Sequence, residues 1–330
     1  MDSRSAVRET CLLTALALCG CTTGPDPVTH DAALRLEHAG LAVEALPSID
    51  RLTYFGTTDG PNMLHVESLE RAPAADGSYT FFGGCYSWFS PQNGPLGWTS
   101  AAGEPVAWPP DPLMDIGPAR VSGRAQRAFT LDGPVTLSGL QESKTFTLID
   151  NATASLSYTL RNQSAAPRIA GPWINTSVER QGVIAVRAPE GSAIYGWDDT
   201  ATDRVRSILA QPDARGWSLL NLRDADWEGG AKVWFAPPPG TPIEIAVWRR
   251  GGRAGGYWLL RSLPPMSAEE TAALRDAGEG PVAVYIQPDA PIIEAELYAP
   301  LATIPPNASH TATESWRLIS AREPSTAVLP

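Results

Sequence analysis

The sequence predicts an all-β chain with at most one or two short helices. Three observations carry that reading. The 31 prolines and 29 glycines are spread along the chain rather than clustered, with short alternating runs between them. Those runs have the two-residue period of half-buried strands. Helix start and stop signals are few.

The clearest strand begins near residue 152. Ala152, Ala154, Leu156, Tyr158 and Leu160 fall on one face, and Thr153, Ser155, Ser157, Thr159 and Arg161 on the other. Phe146 and Leu148 alternate with Thr145 and Thr147 just before it, and Asp150-Asn151 is a natural turn between the two. Residues 182–186, 232–235, 243–248 and 257–260 are further strand candidates. Residues 31–36 are ambiguous. One helix is expected after Ser267-Ala268-Glu269-Glu270, which has capping-box spacing, and it should stop at Gly278. Asp198, Asp199 and Asp203 lack the spaced oxygen ligands of a calcium loop and read as a solvated turn.

The amino terminus reads as an export signal. Arg4 and Arg8 precede an apolar run over residues 11–20. Signal-peptide cores run ~7–15 residues, whereas a spanning helix needs ~20. The run closes Leu18-Cys19-Gly20-Cys21, which resembles the bacterial lipobox, an aliphatic residue and two small ones before the lipidated cysteine. Residues 1–20 are therefore expected to be removed, Cys21 to carry lipid, residues 21–30 to form a tether, and residues 31–330 to form a single domain. Thr22, rather than Asp, follows the cysteine, as in lipoproteins sent to the outer membrane. The expected location is the cell envelope, with the membrane reached only through the lipid on Cys21.

Composition narrows the function. A net charge of −11, with no basic run, excludes nucleic acid as a partner. Of the four cysteines only Cys85 stays in the mature body, so no internal disulfide or thiolate metal cluster forms. Nothing in the sequence supplies Cys85 with a base, which makes a buried structural cysteine the simpler reading. No phosphate-binding glycine loop, His-Glu-x-x-His or nucleophile elbow is present, so no cofactor or metal is expected. The chain is expected to act as a monomer.

Several stretches together resemble the galactose-mutarotase-like family. Arg51-Leu52-Thr53-Tyr54-Phe55-Gly56 and Asn62-Met63-Leu64-His65 resemble its opening hairpin, with an outward Arg51. Next come Gly83-Gly84-Cys85-Tyr86-Ser87-Trp88, Trp108-Pro109-Pro110, Trp173-Ile174-Asn175-Thr176, Ile293-Glu294-Ala295-Glu296-Leu297 and Trp316-Arg317-Leu318. Together they cover nearly the whole mature chain, and they are most similar to an uncharacterised lipoprotein branch. The resemblance implies a large antiparallel β-supersandwich. It also implies a histidine acid and a glutamate base, but the acid-bearing segment here reads Trp173-Ile174-Asn175-Thr176. No histidine lies between His65 and His310, so mutarotase chemistry is not expected. Asn175 can bond a sugar hydroxyl but has no titratable proton near neutral pH.

Glu294 and Glu296 lie two apart and share a strand face with Tyr298. That face is either solvated or one wall of a polar pocket. The resemblance places it near the family's base, which makes both glutamates candidate catalytic residues. Eleven tryptophans point to sugar stacking, because sugars present apolar C–H faces to aromatic rings. Trp88, Trp108 and Trp173 are the candidate stacking residues, while Trp234, Trp248, Trp258 and Trp316 sit in strand-like runs and read as core. Gln92, Asn175 and Glu294 could supply hydrogen bonds, and Arg51 and Lys232 charge. Three readings follow: a carbohydrate-binding envelope lipoprotein; a carbohydrate epimerase, lyase or hydrolase using Glu294 or Glu296; or a structural envelope protein.

Overall fold

The computed structural model describes residues 33–69, 79–94, 96–99, 104–106, 108–179, 182–222, 230–251, 255–286 and 292–330. The expected signal, Cys21 and the expected tether lie outside them. Nineteen strands follow one another along the described chain: β1 (Leu34–His38), β2 (Leu41–Leu46), β3 (Arg51–Thr57), β4 (Cys85–Ser90), β5 (Arg120–Ala125), β6 (Ala128–Val135), β7 (Leu140–Leu148), β8 (Thr153–Asn162), β9 (Arg168–Glu179), β10 (Val183–Arg187), β11 (Ala193–Gly196), β12 (Trp217–Asn221), β13 (Ala231–Ala236), β14 (Ile243–Arg250), β15 (Gly256–Leu263), β16 (Val282–Ile286), β17 (Ile292–Tyr298), β18 (Ala302–Ile304) and β19 (Ser309–Ala321). Three short helices interrupt them, α1 (Pro112–Asp115), α2 (Asp199–Ile208) and α3 (Ala268–Asp276), one more than the upper bound read from sequence.

The strands form two antiparallel sheets. The first runs β1-β2-β3-β4-β9-β17-β16-β13-β11, with β18 also on β9, and the second runs β12-β10-β14-β15-β19-β8-β7-β6-β5. Of the ambiguous stretch 31–36, residues 31–32 lie outside the described residues, and residues 34–36 belong to strand β1. Its hairpin to β2 turns at Ala39 and Gly40, both at positive φ, as a two-residue β-turn of matching twist requires. The predicted alternation holds in β8, where Ala154, Leu156, Tyr158 and Leu160 are buried and their neighbours are not. Asp150 Oδ1 closes the β7–β8 turn by accepting from the Ala152 and Thr153 amides, each at 2.8 Å.

Between the sheets, Phe55, Val233, Val284, Ala295 and Leu297 of the first meet Phe146, Leu156, Tyr158, Leu259 and Trp316 of the second in one apolar core. Trp316 packs edge-on to Phe55, ring centroids 4.9 Å apart. Trp248 and Trp258 belong to a separate apolar layer with Trp217 and Leu329. The Ser267 capping box is present with both of its bonds, and Gly278 follows α3 at φ +78°. The expected turn at Asp198-Asp199 is instead a helix start. Asp198 is the N-cap of α2, its side chain accepting from the Ala201 amide at 2.6 Å. No helix among the described residues is long and apolar enough to cross a membrane.

Candidate functional site

The site grows out of the period of the first sheet. Ala295 and Leu297 of β17 point into the core, so Glu294, Glu296 and Tyr298 point to the sheet's other face. Cross-strand register puts Trp173 beside Tyr298 and beside Trp88, and Tyr285 beside Glu294 and Lys232. These side chains lie over a cavity of about 410 Å³. Trp88, Trp108, Trp173, Gln92, Lys232 and Glu294 all line it. So does Tyr298, placed on the same face from sequence, and so do Tyr79, Phe81, Trp197, Tyr285 and Glu279, which were not singled out from sequence. Trp234 belongs to the buried core, as expected, and lines the cavity as well. It lies on the cavity side of β13.

The aromatic wall is tightly ordered. Trp98, Trp173 and Tyr298 stack, with centroids 6.0 and 5.2 Å apart. Trp88 stands edge-on to Trp173 at 5.0 Å and to Trp98 at 5.7 Å. Trp108 packs on Trp88 at 5.9 Å and remains 54% exposed, so it forms part of the rim. Each such pair is worth about 0.5–1.5 kcal/mol beyond the area it buries.

Buried polar groups fix the rings. Glu296 is fully buried and does not line the cavity. Its Oε2 accepts from Trp173 Nε1 at 2.9 Å and the Tyr298 hydroxyl at 2.8 Å, and it pairs with Lys232 Nζ at 2.8 Å. It therefore orients two rings and a cation from below. Arg51 is not outward, contrary to expectation. It is 1% exposed and lies outside the cavity wall. Its guanidinium sits 4.0 Å over Tyr86 and bonds Asp115 Oδ1 at 2.7 Å. The same oxygen accepts from Trp88 Nε1 at 3.0 Å. Arg51 thus acts on the wall through Asp115 and Trp88, because α1 brings Asp115 against the strand.

Asn175 also stands apart from its expected role. It is 0% exposed and does not line the cavity, and neither amide atom has a partner among the described residues. Cys85 is buried, and burial pushes its thiol up, away from the reactive thiolate.

Among the described residues, two carboxyl groups reach the cavity. Glu279, just beyond α3, accepts from the Ser90 hydroxyl and from the Gln92 amide at 2.8 Å, and burial raises its pKa. Glu294 is 7% exposed and accepts from the Tyr86 hydroxyl at 2.6 Å. Burial, then the neighbouring Glu296 charge, push its carboxyl up to about 7. A carboxyl with that pKa can hold or release a proton near neutrality. Among the described residues lining the cavity, none is a histidine.

Solved structures share this fold. The chain superposes on a galactose mutarotase-like protein from Lactobacillus casei with a TM-score of 0.53 at 10% identity, covering 87% of this chain and 100% of the other. A candidate aldose 1-epimerase of Escherichia coli gives 0.53 at 14% identity, covering 88% and 99%. A galactose mutarotase-like protein of Clostridium acetobutylicum gives 0.52 at 8% identity, covering 88% and 95%. The chain has a galactose mutarotase-like fold. No protein-family model matches it, and no curated protein matches it in sequence.

Proposed function

We propose that this chain is a carbohydrate-binding protein of the cell envelope. It holds a sugar or the end of a glycan in the aromatic cavity and is tethered through lipid on Cys21. The observation that carries the reading is the make-up of one wall. Trp88, Trp108 and Trp173 offer ring surface beside the polar groups of Gln92, Lys232 and Glu294, in a cavity of about 410 Å³. A concave, mostly apolar site with a few placed polar groups is the usual form of a small-ligand site. Sugar C–H faces match such rings, and sugar hydroxyls match the polar rim. The galactose mutarotase-like fold supports a carbohydrate-related role. The tether rests on Leu18-Cys19-Gly20-Cys21.

A second reading, a carbohydrate-active enzyme, is favoured by Glu294 alone, a carboxyl held near neutrality inside the cavity. Calorimetric titration of the purified full-length chain with monosaccharides and envelope oligosaccharides tests both. The binding reading predicts saturable binding, sugar recovered unchanged, and a loss of about ten-fold or more in affinity in Trp108→Ala and Trp88→Ala. Trp108 is the safer probe, since its exposure means that removal leaves the core intact. Turnover that disappears in Glu294→Gln would assign the chain to the enzymes. No binding anywhere in the panel would leave a structural envelope role.

A further inference from the structure

The charges around the cavity are unequal in availability, and that inequality points to a class of ligand. Among the described residues lining the cavity, Lys232 is the one cation. Its ammonium is already engaged, 2.8 Å from Glu296 Oε2 and 4.0 Å from the centre of the Trp173 ring. Arg51, behind Trp88, is neutralised by Asp115 at 2.7 Å. Both Glu279 oxygens accept bonds from the protein, one from Ser90 and one from the Gln92 amide.

Glu294 differs from all of these. Its Oε1 accepts from Tyr86, while its Oε2 has no partner among the described residues and is not sealed from the cavity. Among the described residues, the wall therefore presents one unpartnered oxygen of a nine-tenths-buried carboxyl group, set among tryptophan and tyrosine rings.

An ammonium group suits that setting. Ring faces attract cations through their quadrupole, and a carboxylate adds a charge-assisted hydrogen bond. The Lys232 ammonium over Trp173 shows that this wall accommodates such a cation. A phosphate or carboxylate would instead face Glu294 and Glu279 and find the one lysine already paired.

We propose that the cavity takes an amino sugar, a sugar ring carrying a free ammonium, in preference to neutral sugars and against sugar phosphates and uronates. Glu294 is the residue that recognises the ammonium. The inference rests on the carbohydrate reading above and names its ligand class.

The test is calorimetric titration of the full-length chain with methyl glucosaminide, methyl glucoside, glucose 6-phosphate and glucuronate near neutral pH. The glucosaminide should bind about ten-fold or more tighter than the glucoside, as a hydrogen bond between charged groups implies, and the two anions should bind most weakly. Glu294→Gln should bring the glucosaminide-to-glucoside ratio close to one. Equal affinities, tightest binding of either anion, or a ratio unchanged in Glu294→Gln overturns the amino-sugar inference and leaves the carbohydrate reading standing. Silence from all four overturns the amino-sugar inference, and the wider panel above then decides the carbohydrate reading. The wild-type ratio alone decides the matter should the variant fold poorly.

Discussion

Glu294 and Glu296 stand two positions apart on one strand face, yet the fold gives them different work. Glu296 is walled in by Trp173, Tyr298 and Lys232, and all three meet its Oε2. Glu294 keeps one oxygen toward the cavity and a pKa pushed up to about 7. A carboxyl whose folded pKa lies above its unfolded value binds its proton more tightly in the folded state. Its stabilising contribution is therefore full below the ordinary carboxylate range and is lost as pH rises toward about 7. Glu294→Gln has no proton to lose. Its melting temperature should match wild type near pH 5 and exceed it above pH ~7.5 by a few degrees, for a difference of roughly 2–3 kcal/mol. Thermal unfolding across that range checks this, and a difference that does not change with pH would show that Glu294 titrates normally. The shared face of the two glutamates was legible from their spacing. Which of them reaches the cavity was not, because that depends on Lys232 and Trp173, which arrive from strands distant in sequence.

Strand β17 is held from behind as well. Arg261 on β15 is fully buried and pairs with Glu314 on β19 at 2.6 Å. It reaches across the core to the carbonyl of Ala295 at 2.6 Å, the residue between the two glutamates, and to that of Ile174 at 3.4 Å. Removing the arginine strands a buried carboxylate. Arg261→Met should cost roughly 3–5 kcal/mol in urea unfolding, and Arg261→Met/Glu314→Leu should recover most of it. A single variant as stable as wild type would contradict that bridge. Elements of this kind were unevenly legible. Strand β8 and helix α3 could be read because alternation and a capping box are local signals. Helix α2 was missed because its Asp198 cap sits among other aspartates and looks like a solvated turn. Arg51 looked outward because its partner Asp115 lies 64 positions away on α1.

The cavity belongs to the molecule rather than to any segment. Its wall draws on β4, β9, β13, β16 and β17 and on the residues following α3, so its members span Tyr79 to Tyr298. The tryptophan-rich composition announced an aromatic site, and Trp88, Trp108 and Trp173 do come together. Tyr79, Trp197, Tyr285 and Glu279 carried no comparable signal, since only the sheet order makes them neighbours. The all-β class was legible for a different reason, while the two-sheet arrangement was implied only by the family resemblance. Alternation sums over many strands, whereas a site depends on single contacts.

The most direct measurement is a crystal structure of the full-length chain grown with a saturating sugar that titrates in solution. The sugar ring should lie against Trp173 and Trp88, with polar groups turned toward Glu294 and Gln92. A sugar bound elsewhere on the molecule, or a cavity left without it at saturation, would contradict the assignment of this cavity as the carbohydrate site.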